Sequence, residues 1–492
     1  MSITEALRRF ERDTRPILPE SRRALDERWA NLPEHVKTDS QLLGRCAVGC
    51  EGTHGVFPKC NLTCSPCYHS ADANKVRIDG NHTIDNVRMQ MDFLRERRGP
   101  RAHAQLIGGE VSLLAAEDHA AALLAMRAAG REPMSMTHGD FDYDYLLDVV
   151  LDADRHPRFD KVSFAAHFDS LMRGRRGAVR PRSEAELEPF RAEFAEMFAR
   201  LQQDHGVSSY LAHNMTVTPS NLDEVEEVTR SVLGMSFDMM SFQPAAFIGD
   251  ERRWKEDFDD VSIDDVWERI EAGVGQKLPW KATQFGDPRC NRTTVGAWVD
   301  NRFAPLLDPD DAKDLAARDR FLDHFGGMIF GGTSRPVLAM KVTRALARHP
   351  GDIVPILGLL SRVIRRAGGV RAVLRAMRHK KLSFRTFVVH NFMDAAQVAP
   401  AWELMEKGLT SDDPLILETQ ERLGSCMYAM SHPEDGRLVP ACVQHSVLDP
   451  VENEGLRRLL PLTDRATGLT NELVSRPSGL TPTRPTGPRV AH

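Results

Sequence analysis

Three cysteines fall within one short stretch, Pro58-Lys59-Cys60-Asn61-Leu62-Thr63-Cys64-Ser65-Pro66-Cys67-Tyr68-His69. Their spacing is C-x3-C-x2-C, with an aromatic residue directly after the third. Thiolates are soft ligands that suit iron–sulfur clusters, zinc or Cu(I). A cubane [4Fe–4S] cluster normally takes four cysteines, one per iron. Three on one loop can hold three irons and leave the fourth open to bind and reduce something. A structural zinc site is the alternative. Such sites show paired C-x2-C or Cys/His sets closed to four ligands. Here the nearest fourth ligand is His69 or Cys50, and neither gives a familiar zinc spacing.

The other five cysteines are Cys46, Cys50, Cys290, Cys426 and Cys442. A disulfide framework is not expected in a large chain without an apolar leader, and the N-terminal MSITEALRRFERDTRP is charged. Clustered thiols then read as metal ligands in a reducing, cytoplasmic setting. Cys46 and Cys50 form an extra C-x3-C just before the main motif; they are either buried structural thiols or lie near a cluster. Cys426 and Cys442 flank the turn signal Asp435-Gly436-Arg437, and a Cys-hairpin-Cys unit can bring two thiolates to one cluster.

These residues need elements to position them. The chain has 492 residues, 41% hydrophobic and 27% charged, values of a globular protein. No run approaches about 18 apolar residues, so no transmembrane helix is expected. Apolar runs (HGVFPK, HAQLIGGE, PMSMTHGD, KVSFAAHFDS, SSYLAHNMTVT, FDMMSFQPAAF) alternate with amphipathic stretches such as IDNVRMQMDFLRERR and PFRAEFAEMFARLQQDHG. The alternation predicts parallel βαβ units with right-handed crossovers. Six units fit residues 54–250, an α/β fold of partial (β/α)6 barrel type. Chemistry in such folds collects at the C-terminal strand ends, where Glu110, His138, Asp140, Asn214 and Gln243 are expected.

With Tyr68 in place, the cysteine motif resembles the radical S-adenosylmethionine (radical SAM) superfamily. The resemblance implies the same barrel, a [4Fe–4S] cluster on Cys60, Cys64 and Cys67, and SAM chelated by the open iron. Gly108-Gly109-Glu110 follows the second expected strand and matches the family segment that contacts the amino group of SAM; the usual next proline is Val111 here. Two glycines also let backbone approach a ligand closely. By position, the resemblance puts Tyr68 beside the adenine, and Ser163, His167 and Asp169 near ribose and carboxylate. Asn214 and Thr216 end the fifth strand. Each of these could equally be a hydrogen-bonded buried polar residue. No residue is assigned as a catalytic acid or base.

Phe242-Gln243-Pro244-Ala245, then Gly286-Asp287-Pro288 before Cys290, Phe392-Met393-Asp394, and Asp435 to Pro440 before Cys442 together resemble a branch with the archaeal tetraether lipid synthases. In that branch later cysteines bind auxiliary clusters. The cysteine count allows at most one fully Cys-ligated auxiliary [4Fe–4S] cluster, drawing on Cys290, Cys426 and Cys442. Its fourth position falls to Cys46, to Cys50, or stays open. The resemblance implies bond formation or alkyl modification on an apolar substrate, a lipid included, and a low-potential donor such as ferredoxin or flavodoxin. Methylation of a small molecule or peptide is the second reading, and a non-catalytic metal-bound scaffold the third.

The expected organisation is a helical arm (1–45), the partial barrel (46–300), a basic helical insertion (301–385), an auxiliary-cluster region (386–460) and a largely disordered tail (461–492). Residues 341–385 hold twelve Lys/Arg against Asp352, a charge of +11 in a chain of −6; the remainder therefore carries −17. Ile353, Ile356, Leu357, Leu360, Val363 and Ile364 recur at helical spacing beside the arginines. Such a face either contacts an anionic membrane peripherally or pairs with the acidic remainder. Nucleic acid is the weaker partner, because few aromatics accompany the arginines.

Overall fold

Alternating apolar and amphipathic segments become alternating strands and helices. The computed structural model describes residues 3–69, 71–100, 102–254, 261–330 and 333–462. Helices Ile3–Thr14 and Pro19–Ala30 lead in. The strands are β1 (Cys50–Gly52), β2 (Thr63–Cys64), β3 (Ala102–Leu106), β4 (Arg131–Thr137), β5 (Lys161–His167), β6 (Met172–Arg173), β7 (Ser208–Val217), β8 (Met239–Pro244), β9 (Asn291–Val299), β10 (Arg302–Pro305), β11 (Leu382–His390), β12 (Tyr428–His432) and β13 (Arg437–Pro440).

Eleven of them form one sheet in the order β10-β9-β11-β8-β7-β5-β4-β3-β1-β12-β13, and β2 pairs β6 as a separate ribbon. Every neighbour from β11 through to β12 is parallel. Antiparallel pairing occurs only at the two ends. The fold is α/β, a curled, mostly parallel sheet forming a partial barrel. Parallel neighbours need crossovers of a dozen or more residues, supplied by helices such as Gly80–Arg98, Ala116–Ala128 and Glu188–His205. Between sheet and helices lies a core that includes Leu106, Phe164, Phe194, Phe198 and Phe242.

The six expected units appear as β1, β3, β4, β5, β7 and β8. Their first strand is shifted upstream. His54–Lys59 is not a sheet strand; it runs alongside the Gly-Gly-Glu turn, where Gly109 N donates to Phe57 O and Glu110 N to Lys59 O, at 2.7 and 2.9 Å. The basic 301–385 segment is helical over Ala312–Phe325, Arg335–Arg348, Ile353–Arg366 and Val370–Arg378. Strand β10 precedes these helices and β11 opens before they give way to the next segment, so the sheet brackets the insertion. β11 returns to pair with both β8 and β9. From residue 463 the expected disordered tail lies outside the described residues.

Candidate functional site

β1 delivers the chain to the cysteine loop, which sits over the C-terminal ends of the parallel strands. The loop is tied down at three points. Cys60 N donates to Asn74 Oδ1 at 2.9 Å, and Leu62 N lies 3.4 Å from Cys60 Sγ. Cys64 belongs to β2, which pairs with β6. All three sulfurs open into one cavity of about 130 Å³, together with Tyr68, His69, Glu110, His138, His167, Asp169, Thr216, Gln243 and Arg253.

The thiols are half-buried, and loss of solvent opposes a thiolate unless a cation is bound. Burial pushes Cys60 up to about 12. Cys64 donates to the Cys67 sulfur, which holds Cys67 well below the ordinary thiol range and Cys64 well above it. Four ligands on a zinc ion at about 2.3 Å would stand about 3.8 Å apart. Among the described residues no three cysteine sulfurs lie within 4.8 Å of one another.

Gly108 and Gly109 are required by a close approach, though not to open space. A Cβ on Gly109 would lie 2.1 Å from Lys59 O, and one on Gly108 would lie 2.6 Å from the Phe57 ring. Their smallness lets this turn dock onto the strand leading into the cysteine loop. Glu110 is 1% exposed. Its Oε1 accepts from Ser112 N, Ser112 Oγ and Thr137 Oγ1 at 3.0, 2.6 and 2.6 Å. Its Oε2 accepts from His138 N at 2.8 Å, leaving capacity for one further donor there.

His167, Asp169 and Thr216 form a cluster on the cavity wall. His167 Nε2 lies 2.5 Å from Asp169 Oδ2 and 3.1 Å from Thr216 Oγ1. Burial pushes the His167 imidazole down, and the Asp169 carboxylate outweighs it, raising the net value. Gln243 also lines the cavity, whereas Asp140 turns away to accept from Arg176 Nε at 3.0 Å. Arg253 Nε makes no hydrogen bond, and neither does either ring nitrogen of His69, whose Nδ1 lies 3.9 Å from Asp449 Oδ2. Arg253 was absent from the sequence reading; its only local signal is an arginine shortly after the Gln243-Pro244 strand end.

Ser163 lines neither cavity. It is the third residue of β5, four positions before His167, or roughly 13 Å deeper. Asn214 faces a second chamber of about 140 Å³. That chamber is lined by Cys50, Cys290, Cys426 and Cys442, along with Met134, Met239 and Asn391. The structure thus brings Cys290, Cys426 and Cys442 together and adds Cys50. Cys46 lies apart, in a cleft with Leu25, Arg98 and Met328. Burial pushes Cys50 and Cys290 up to about 11 and Cys442 higher still. The Arg422 guanidinium donates to Cys290 Sγ at 3.2 Å.

The two chambers share a wall. Tyr68, Met136, His167, Gln243 and Phe392 line both. The Tyr68 ring is held by His69 and His445, each with its centroid 4.6 Å away.

No protein-family model and no curated protein sequence matches the chain. Among solved structures it is similar to Streptococcus suis SuiB, at 15% identity over 39% of this chain and 39% of that one, with a TM-score of 0.27. It is also similar to anSMEcpe with bound AdoMet and the Cp18Cys peptide, at 12% identity over 45% of this chain and 57% of that one, with a TM-score of 0.30. The chain therefore spans less than two thirds of either protein.

Proposed function

We propose that the chain is a radical SAM enzyme. The observation that carries this reading is the joint placement of Cys60, Cys64 and Cys67, with Glu110, Tyr68 and Arg253, around one cavity over the barrel strands. When bound, a [4Fe–4S] cluster on the three thiolates would supply the electron that cleaves SAM reductively to a 5′-deoxyadenosyl radical, which abstracts hydrogen from an unactivated C–H. The residues divide the remaining tasks. Arg253 presents a guanidinium fork to a carboxylate. Glu110 Oε2 offers its one remaining acceptor position to an ammonium. Tyr68 and the Phe392 side chain close the cavity against water from the inner side.

The second set, Cys50, Cys290, Cys426 and Cys442, supplies the four thiolates that an auxiliary [4Fe–4S] cluster takes. Arg422 offsets the negative charge such a set would carry. The chamber that holds the second set is also lined by Ile107, Met134, Met136, Ala165 and Met239, with Gln105, His167, Asn214, Ser241, Gln243 and His390 among its polar residues. An apolar lining with a few fixed polar groups suits an alkyl substrate. This supports C–C or C–S bond formation, or alkyl modification.

A lipid substrate gains support from the basic insertion. Val354, Leu357, Leu360, Val370, Leu374 and Met377, on helices Ile353–Arg366 and Val370–Arg378, are 54–78% exposed. Arg362 and Arg366 pair with Asp314, while Arg365, Arg371, Arg375 and Arg378 make no ion pair among the described residues. Exposed aliphatics rimmed by such arginines fit the interface of an anionic bilayer. Among the described residues no helix is long and apolar enough to cross a membrane.

The test is anaerobic incubation of the reconstituted chain with SAM and dithionite. Release of 5′-deoxyadenosine is expected, and its absence from a protein with full iron content would sink the reading. Flotation with anionic vesicles, and none with neutral ones, is expected for the insertion.

A further inference from the structure

Outside both cysteine sets, three side chains converge at the sheet edge: His54 just after β1, His432 at the end of β12, and Glu452 on helix Asp449–Leu459. Their ligand atoms all lie within 4.8 Å of one another. We propose that they form a binding site for one divalent cation of the zinc class, with Glu434 within reach at its solvent edge.

His54 Nε2 stands 2.7 Å from Ser431 O, a carbonyl that can only accept, so Nε2 carries the hydrogen. His432 Nε2 stands 2.6 Å from Gln444 Oε1. The Gln444 amide nitrogen is committed to Asp449 Oδ1 and Glu452 Oε2, at 2.9 and 3.0 Å. Both acceptors are carboxylates, so the amide oxygen must face His432, and His432 Nε2 also carries a hydrogen. The remaining nitrogen of each ring is Nδ1. His54 Nδ1 lies 2.9 Å from Glu452 Oε2, and His432 Nδ1 lies 3.7 Å from Glu452 Oε1 and 3.5 Å from Glu434 Oε1.

The His54 Nδ1 lone pair faces a carboxylate oxygen at 2.9 Å, so a proton or a cation lies between them, whereas His432 Nδ1, at 3.5–3.7 Å from its carboxylates, is beyond direct hydrogen-bond range yet at ligand spacing. Protons on both rings would place two imidazolium ions face to face, since the rings stack with centroids 4.3 Å apart, and His54 and His432 are largely buried with side chains 9% and 4% exposed. One divalent ion satisfies both nitrogens and the carboxylate together. Nitrogen and oxygen ligands at about 2.0–2.2 Å on a tetrahedral zinc stand about 3.4 Å apart, and the observed separations bracket that value. Imidazole with carboxylate suits zinc among common divalent ions. The ring hydrogens that fix the tautomers, through Ser431 O and Gln444, are the outer support such sites use. His54 is further pinned by Gln90, which accepts from His54 N and donates to His54 O at 3.1 and 2.9 Å. An ion there would staple helix Asp449–Leu459 and β12 to the segment that feeds the cysteine loop.

The experiment uses the full chain, purified anaerobically with its clusters, equilibrated with zinc and then dialysed against zinc-free buffer. Wild type is expected to retain about one zinc more than His432→Ala or Glu452→Gln, with iron and sulfide unchanged among the three. Gln444→Leu, which leaves every ligand in place, is expected to weaken zinc binding about 10–100-fold. Zinc should also raise the melting temperature of wild type and not that of Glu452→Gln. Equal zinc in wild type and both substitution variants overturns the proposal and leaves the pair as imidazolium partners of Glu452. So does a wild-type melting temperature indifferent to zinc.

Discussion

Arg422 Nε stands 3.2 Å from the sulfur of Cys290, while the second guanidinium at this set, Arg28, donates to the Cys426 carbonyl at 2.6 Å. A hydrogen bond from a cation to a ligating sulfur stabilises the more negative, reduced cluster. Such a bond is worth about 1.5–3 kcal/mol, and 59 mV corresponds to about 1.4 kcal/mol for one electron. Arg422→Gln is therefore expected to lower the potential of a cluster held by this set by about 65–125 mV in an EPR-monitored redox titration. An unchanged potential would separate Arg422 from that centre.

Arg253 is 5% exposed, and its Nε has no hydrogen-bond partner. If it receives the SAM carboxylate, Arg253→Ala removes a charge-assisted contact of about 1.5–3 kcal/mol. SAM affinity should fall about 10–150-fold in equilibrium binding, with iron content retained. Arg253→Lys should restore only part of it, because a lysine lacks the planar fork. Undiminished affinity in Arg253→Ala would reassign the residue to packing.

The strand–helix units were legible in the sequence because their signals are local: apolar runs, amphipathic helices and one tight cysteine spacing. The choice of Cys50 over Cys46 beside the second set was not. Its place depends on β1 pairing with β12, where Cys50 sits opposite Tyr428, a contact between distant parts of the chain. Ser163 was grouped with His167 and Asp169 at the end of one strand, but it is the third residue of β5, which continues to His167. Alternation then puts Ser163, Ala165 and His167 on one face, with only the last at the cavity over the loop. Asn214 and Thr216 share a face of β7 in the same way, and the deeper one lines the second chamber. The Gly108-Gly109 pair was legible as a tight approach, but not which backbone it approaches.

Glu51 is 0% exposed and lies between Arg131 Nε, 3.0 Å away, and Arg98 Nε, 3.3 Å away. It fixes the strand that carries Cys50. Glu51→Gln leaves two largely buried guanidinium groups without their anion, and breaking such a set costs about 3–5 kcal/mol. The urea midpoint should fall accordingly. A loss under about 0.5 kcal/mol, the range of an ordinary surface substitution, would contradict the account of this cluster.

Asp352 supplies a pH test. Burial pushes its carboxyl up, but hydrogen bonds with His324 and Arg320, at 2.6 and 3.1 Å, outweigh this and hold it below its ordinary value. A depressed folded value means stability that is present above the unfolded pKa of about 3.9 and lost as pH falls through the folded one. Asp352→Asn should melt lower than wild type at pH 7, and the gap should close as pH drops below about 4. A gap that stays constant down to pH 3 would show that the carboxylate charge contributes nothing there.

We expect the chain to carry two separate thiolate sets, one open to SAM and one closed. Iron and sulfide counting on anaerobically reconstituted protein tests it most directly. Wild type should hold about eight irons. The Cys60→Ala/Cys64→Ala/Cys67→Ala variant and the Cys50→Ala/Cys290→Ala/Cys426→Ala/Cys442→Ala variant should each hold about four, and only the second should keep the EPR perturbation caused by added SAM. Zinc in place of iron in wild type, or iron unchanged by either set of substitutions, would contradict it.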